Sequence, residues 1–340
     1  MKVLVTGHRG YIGVEMVSVL VGAGHQVIGL DTGFFDACDF QAPPDEVPSL
    51  NVDLRDVTAE QLRGFDAVLH MGALSNDPLG NINPNLTYDI NLHASVRLAR
   101  AAKEARVPRF LFSSSCSLYG AGGDGFLNES AAFNPQTPYG ESKIRVEQEL
   151  TSLADATFSP VYLRNATAYG VSRRLRADIV VNNLVGHAIT TGKVLLQSDG
   201  SPWRPLVHLR DIIHAFECCL VAPREAIHDQ AFNVGKTTEN FRIRDVANLV
   251  AEIVPNCEVA FAPGASADSR DYRVDFSKIE SQLPGFRAKW TLRAGIEELY
   301  QAYKAAGLSR EDWQGPRYYR LPTIKNLIAD GKLNLDLRRP

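Results

Sequence analysis

Ser115, Tyr139 and Lys143 have the types and spacing for proton transfer to and from an alcohol. Tyr139 and Lys143 stand four residues apart, so a helix would place them on one face. An ammonium held there favours ionisation of a phenol whose unperturbed pKa is ~10. The phenolate can accept the proton of a substrate hydroxyl while the carbon gives up its hydride. Ser115 closes the run Arg109–Ser115, and its hydroxyl can hold the same substrate oxygen. A Y-x-x-x-K pair also arises by chance on exposed helices, so its weight depends on a hydride acceptor elsewhere in the chain.

The opening residues supply a site for one. Thr6-Gly7-His8-Arg9-Gly10-Tyr11-Ile12-Gly13 follows a strand-like run and opens a helical one. Glycines there let backbone N–H groups approach a pyrophosphate, with the positive end of a helix behind them. The G-x-x-G-x-x-G spacing is a variant of the dinucleotide fingerprint. It makes Gly7, Arg9, Gly10, Tyr11, Ile12 and Gly13 the expected cofactor contacts; a purely structural turn is the alternative. Asp31, 18 residues after Gly13, can accept hydrogen bonds from an adenosine ribose. Its carboxylate would repel a 2′-phosphate and no arginine follows at once, so NAD is expected rather than NADP. Asp53-Leu54 could flank the adenine or form a plain surface loop.

These residues need a scaffold. Val3–Thr6, Gln26–Asp31, Asp66–Met71, Arg109–Ser115 and Ser159–Arg164 read as strands, and Gly13–Gly24, Asn91–Glu104 and Tyr139–Ala154 as helices. Such alternation predicts an α/β fold with a doubly wound parallel sheet of Rossmann type, ligands lying along the C-terminal strand ends. Beyond Tyr169-Gly170 the rhythm loosens. Helices are expected at Leu175–Thr191, Asp211–Val221, Arg244–Val254 and Ala294–Ala306, and strands at Val194–Gln197 and Ala231–Val234. Residues 1–170, with 206–240 returning to them, are the expected dinucleotide domain; 171–205 and 241–340 form a smaller C-terminal lobe. Gly307–Pro340, rich in Arg and Tyr, is expected to be a packed extension.

Composition narrows the partners. With 36 Lys+Arg against 39 Asp+Glu, the chain has no basic footprint for nucleic acid. No apolar run reaches the ~18 residues of a membrane span, and the first residues do not read as a signal peptide. Cys38, Cys116, Cys218, Cys219 and Cys257 are odd in number and lack zinc spacing. Reduced thiols, no metal and a cytoplasmic location are the expectation.

Taken together, the motifs identify the chain as resembling an extended short-chain dehydrogenase/reductase of the NAD-dependent nucleotide-sugar epimerase/dehydratase family. The similarity runs from Val3 to about Gly285. It covers the glycine turn, Asp31, Asp53-Leu54, His70-Met71-Gly72-Ala73, Asn91, the Ser113–Gly120 segment and Tyr139/Lys143. Further on it covers Leu163-Arg164, Asn182-Asn183-Leu184, Arg204–His208 with Asp211, and Arg270 ahead of Tyr272 and Asp275. The resemblance implies that Ser115, Tyr139 and Lys143 are catalytic, Lys143 also holding the nicotinamide ribose, with Ala73 and Asn91 among the cofactor contacts. Asn91 is expected to brace the sheet rather than touch substrate. Asn183, Arg204 and Arg270 fall where relatives grip a nucleotide-sugar diphosphate, for which guanidinium geometry is well suited. Homodimers through Asn91–Glu104 and Tyr139–Ala154 are implied as well.

The segment after Ser115 bears on the reaction. If the strand continues, Ser117 shares the face of Ser115 and Cys116 looks away. Family dehydratases carry an Asp-Glu pair after the catalytic hydroxyl residue, where this chain has Cys116 and Ser117. The 3,5-epimerase and fucose-synthase type places a cysteine where Ser117 stands. Cys116 is therefore expected to be structural. Transient oxidation at C4 with return of hydride to the other face, a 4-epimerisation, is the expected reaction. Dehydration and ketoreduction on the same scaffold, and a non-enzymatic NAD-binding regulator, remain alternatives. Thr167 stands where 4-epimerases often have Asn, and Ser75 and Asn76 in the Leu74–Pro78 insert are expected near the sugar.

Overall fold

A computed structural model describes residues 1–43, 45–75, 83–266 and 270–340. The strands are β1 (Lys2–Thr6), β2 (Gln26–Leu30), β3 (Ser49–Leu50), β4 (Ala67–His70), β5 (Arg109–Ser115), β6 (Ala121–Leu127) and β7 (Ser159–Asn165). They continue with β8 (Thr167–Tyr169), β9 (Lys193–Ser198), β10 (Trp203–His208), β11 (Gln230–Val234), β12 (Asn240–Arg242), β13 (Glu258–Ser266) and β14 (Asp271–Val274). The principal helices are α1 (Gly13–Gly22), α2 (Ala94–Glu104), α3 (Pro138–Leu153), α4 (Val180–Thr191), α5 (Leu209–Val221), α6 (Ile243–Ile253), α7 (Leu292–Ala305), α8 (Arg310–Gln314) and α9 (Arg320–Ala329).

Seven strands form one parallel sheet in the order β11-β7-β5-β4-β1-β2-β3, the doubly wound arrangement expected from the alternation of elements. Continuous apolar runs such as Val3-Leu4-Val5 and Phe110-Leu111-Phe112 are buried because both faces are covered by helices. One core holds α1 and α5 against the sheet, through residues such as Met16, Leu20, Ile213 and Phe216; the other holds α2 and α3, through Leu98, Ala102, Val146 and Leu150. The register brings Thr6 beside both Leu30 and His70, His70 beside Phe112, and Ser115 beside Asn165. The strand ends therefore form one rim. A separate apolar core joins α4, α6, α7 and Trp313 beyond that rim. The small β8-β10-β12, β9-β13 and β6-β14 sheets complete the smaller lobe and its junction.

Two expectations need correction. The helix expected at Leu175–Thr191 starts only at Val180, so residues 175–179 approach it as non-helical chain. The helix expected from Asn91 is preceded by a wider turn over Tyr88–His93 that holds Asn91 itself and continues into α2 at Ala94. No helix among the described residues is long and apolar enough to cross a membrane.

Candidate active site

A cleft of about 840 Å³ runs along the rim between the sheet and the smaller lobe. Its wall includes Gly7, Gly10, Tyr11, Ile12, Gly13 and Ala73 at one end. Ser115, Ser117, Tyr139 and Lys143 also line it, as do Thr167, Asn183, Arg204 and Arg270.

The glycine turn is as tight as its sequence suggests. Gly7 sits at φ +70°, and a Cβ there would come within 2.8 Å of the Gly72 nitrogen. A Cβ on Gly13 would lie 2.1 Å from the Gly7 carbonyl oxygen. Helix α1 starts without any side-chain cap, so no side chain competes with an anion at its N-terminus, although the Val14 N–H is donated to the Gly10 carbonyl at 3.1 Å. Asp31 accepts the backbone N–H of Arg9 at 3.1 Å and that of Gly33 at 2.8 Å, fixing the turn to the end of β2. The Arg9 guanidinium is paired with Asp36 at 2.9 Å, and the Tyr11 hydroxyl donates to the Gly170 carbonyl at 2.7 Å. These residues fit a dinucleotide, with amides for the pyrophosphate and a carboxylate for the adenosine ribose.

A hydrogen-bond chain holds the neighbouring 71–75 loop. Ser95 Oγ donates to the Asn91 carbonyl at 2.7 Å, so it must accept from His70 Nε2 at 2.7 Å. That leaves His70 Nδ1 to accept from Thr6 Oγ1 at 2.6 Å, and Thr6 Oγ1 accepts the Gly72 N–H at 3.0 Å. Burial, assisted by the Lys143 charge, pushes His70 down to about 3, in keeping with a neutral ring in this chain. Asn91 grips the same loop: its Oδ1 accepts from Leu74 N at 2.8 Å and its Nδ2 donates to Leu74 O at 3.0 Å. Its amide thus clamps the loop that carries Ala73, rather than bracing the sheet.

Thr137 caps α3 by accepting the Gly140 N–H at 3.2 Å, with Pro138 in the first turn. This start fixes Tyr139 at the mouth of the cleft and Lys143 one turn deeper. Lys143 Nζ donates to the Ser113 carbonyl at 2.7 Å, lies 4.5 Å from the centre of the Phe112 ring and 5.4 Å from that of Tyr139. Burial pushes its pKa down to about 7, with the Glu147 carboxylate pulling the other way.

Ser115 donates to Ser117 Oγ at 3.0 Å and accepts the Ser117 N–H at 3.1 Å. Ser117 faces the cleft and Cys116 does not, but strand alternation is not the cause: the strand stops at Ser115 and a tight helical turn, Cys116–Leu118, follows. The turn buries Cys116, whose thiol donates to the Arg164 carbonyl at 3.1 Å; burial pushes its pKa well above the ordinary thiol value. A protonated thiol in that position is a packing group.

Arg204 is buried and donates to the Trp203 carbonyl at 2.8 Å and to the Arg270 carbonyl, so the fold brings these two arginines together from distant segments. Asn183 Nδ2 donates to the Ala177 carbonyl at 2.8 Å, and Ser75 accepts from Arg176 at 3.2 Å. Asp53 and Leu54 lie away from the cleft wall: Asp53 forms a bidentate pair with buried Arg55 at 2.8 and 2.9 Å, and Leu54 is packed in the core. Asn76 lies outside the described residues.

Sequence reasoning missed Arg176 and Asp178, which line the cleft as an ion pair at 2.9 Å. The R-x-D triplet ahead of Ile179 was the available signal, but reading it as helix hid its side chains. Tyr272 also lies in the wall.

Comparison with known proteins shows the family. The model of the NAD dependent epimerase/dehydratase family matches residues 3–235, and the chain belongs to that family, the extended short-chain dehydrogenase/reductases. A UDP-glucose 4-epimerase of Corynebacterium glutamicum is 26% identical, across 90% of this chain and 97% of its own. UDP-glucuronic acid decarboxylase 1 of Arabidopsis thaliana is 25% identical, across 93% of this chain and 72% of its own. The solved structure of MoeE5 in complex with UDP-glucuronic acid and NAD superposes with a TM-score of 0.78 at 26% identity, covering 90% of this chain and all of its own. The protein is an NAD-dependent enzyme of this family.

Proposed function

We propose that the chain epimerises a nucleotide-diphosphate sugar at C4 through a transient 4-keto sugar. The observation that carries this reading is the charge inventory of the cleft. Among the described residues of its wall, the one carboxylate is Asp178, held by Arg176. Dehydration would need an acid/base pair beside C5 and C6, where Cys116 is turned away and Ser117 is a hydroxyl. Net ketoreduction would consume a reduced nicotinamide in each turnover, whereas epimerisation regenerates its cofactor.

In this reading Tyr139 takes the C4 hydroxyl proton, Lys143 stabilises the phenolate and holds the nicotinamide ribose, and Ser115 holds the reacting oxygen. NAD, which the glycine turn and Lys143 would hold, would supply the hydride acceptor and donor for C4. Tyr139 then gives the proton back. Arg204, Arg270 and Asn183 hold the diphosphate, with Ser75, Ser117 and Thr167 nearer the sugar. Residues 1–170 and 206–240 are assigned to the dinucleotide part, and 171–205 with 241–340 to the nucleotide-sugar part; the separate core of α4, α6 and α7 supports the division, whereas Tyr272–Phe286 pack in the core that holds α1 and α5. A cytoplasmic homodimer is part of the proposal. All five cysteines are free, which suits a reducing compartment.

A second reading has one observation in its favour. Arg176 shares the cleft wall with Tyr139 and could hold a C6 carboxylate; a 4-keto uronic acid would then lose that carboxylate as CO₂. Incubation with UDP-glucose, UDP-glucuronic acid and dTDP-glucose, followed by NMR, separates the cases. Inversion at C4 without mass change supports epimerisation. Release of CO₂ supports the second reading, and water loss or net nicotinamide oxidation overturns both.

A further inference from the structure

The segment after Gly307 leaves the smaller lobe and returns to the dinucleotide part. Trp313 is fully buried in the core with α4 and α7, and α9 then leads toward the ends of β2 and β4. Leu333 and Leu337 join an apolar cluster with Phe34, Phe35 and Leu74. Polar anchors tighten the contact. Buried Arg55, oriented by Asp53, donates to the carbonyls of Asp336 at 2.8 Å and Leu337 at 3.2 Å. Arg338 pairs with Asp56, and Arg339 donates to the Thr32 carbonyl at 2.9 and 3.2 Å.

Every anchor flanks one place. Thr32 and Gly33 directly follow Asp31, Asp53–Asp56 follow β3, and Leu74 follows Ala73 of the cleft wall. We infer that residues 333–340 complete the adenosine end of the NAD site, an inference that rests on Asp31 as the ribose acceptor. The sheet order supports the placement. The dinucleotide would run from β2 over β1 and β4 to β5, with the Tyr139/Lys143 end at β5 and the adenosine end under this segment. Asp53 then acts on the cofactor through Arg55, as a positioning residue that pins the covering segment.

Two variants test this: a chain ending at Lys332, and the double substitution Arg338→Ala/Arg339→Ala, which leaves Leu333 and Leu337 in place. Titration calorimetry with NAD, ADP and nicotinamide mononucleotide is the readout. We expect roughly tenfold or greater weakening of NAD and ADP, the loss of about one well-placed anchor, with the mononucleotide unchanged. Unchanged ADP affinity overturns the inference, as does equal loss of the mononucleotide, which would mean general collapse of the site. If the shortened chain fails to fold, the double substitution decides by the same criteria. Asp31→Ala is the control: ADP weakening there but not in the segment variants overturns this inference alone. No weakening in any of the three overturns the reading of Asp31 as well.

Discussion

Replacing Glu147 with leucine keeps most of the side-chain volume and removes one buried charge. In the native chain Glu147 and Arg164 are 7% and 6% exposed at the side chain. The carboxylate accepts three contacts from the guanidinium, at 2.7, 3.1 and 3.2 Å, and one from Ser114 Oγ at 2.5 Å. The variant leaves Arg164 with Tyr119 at 3.1 Å and the Glu129 carbonyl at 2.9 Å as neutral partners. Breaking a buried pair by removing one partner costs about 3–5 kcal/mol, because the remaining charge stays desolvated. At the roughly 3 kcal/mol per molar urea or more expected of a large chain, that moves the unfolding midpoint by about 1 M.

The paired replacement Glu147→Leu/Arg164→Leu removes both charges and should cost less than Glu147→Leu alone. Urea unfolding followed by far-ultraviolet circular dichroism measures all three proteins under one protocol. A single-variant loss below about 1 kcal/mol, the size of an exposed pair, would refute the argument that this pair is desolvated and mutually required. A double variant weaker than the single would place the loss in packing rather than charge.

Tyr139→Phe should lower turnover by ~10²–10⁴-fold, the usual range for a general acid–base group, while bound NAD is retained; unchanged turnover would sink the assignment of Tyr139. Lys143 predicts a pH effect on stability. Its folded-state pKa, about 7, lies below the ordinary lysine value of 10.5, so between them the unfolded chain binds the extra proton. Stability of the NAD-free protein should therefore rise with pH from about 7 to 10, by up to ~1.4 kcal/mol per pH unit, and Lys143→Met should flatten that slope in urea titrations. Gly13→Ala forces a Cβ against the Gly7 carbonyl; overpacking of ~1–3 kcal/mol would weaken NAD binding roughly tenfold to a hundredfold by calorimetry.

Features set by local spacing were readable from the chain. The glycine turn, Asp31 and the Tyr139/Lys143 pair each depend on one strand end or one helix turn, and the parallel sheet follows from the order of elements. Features set by long-range contact were not. Asp53 looked like an adenine contact because its partner Arg55, and the carbonyls at 336 and 337 that Arg55 holds, are joined only by folding. Asn91 was visible as a residue of interest, but its grip on Leu74 depends on a widened helical turn that periodicity does not disclose. Arg176 and Asp178 were lost because an apolar run from Leu175 reads equally well as helix or as irregular chain leading into one. Ser117 was placed in the cleft by an argument from strand alternation, although a tight turn puts it there.

The charges beneath the cleft alternate along a line: Arg164 positive, Glu147 negative, Lys143 positive, and Tyr139 able to become negative. Lys143 donates to the Ser113 carbonyl and lies near two aromatic rings, so its charge is best balanced by Glu147 on one side and a phenolate on the other. It follows that the two ends of the buried pair should act on Lys143 in opposite senses. Glu147→Leu withdraws the carboxylate that raises the Lys143 pKa, so the ammonium is lost at lower pH and the alkaline fall in turnover moves acidward. Arg164→Leu frees the same carboxylate from its guanidinium, strengthens its pull on Lys143 and moves that fall to higher pH. Both single variants lose stability, so stability alone cannot distinguish them. Turnover profiles shifted in the same direction would show that Glu147 reaches the site through packing and not through charge.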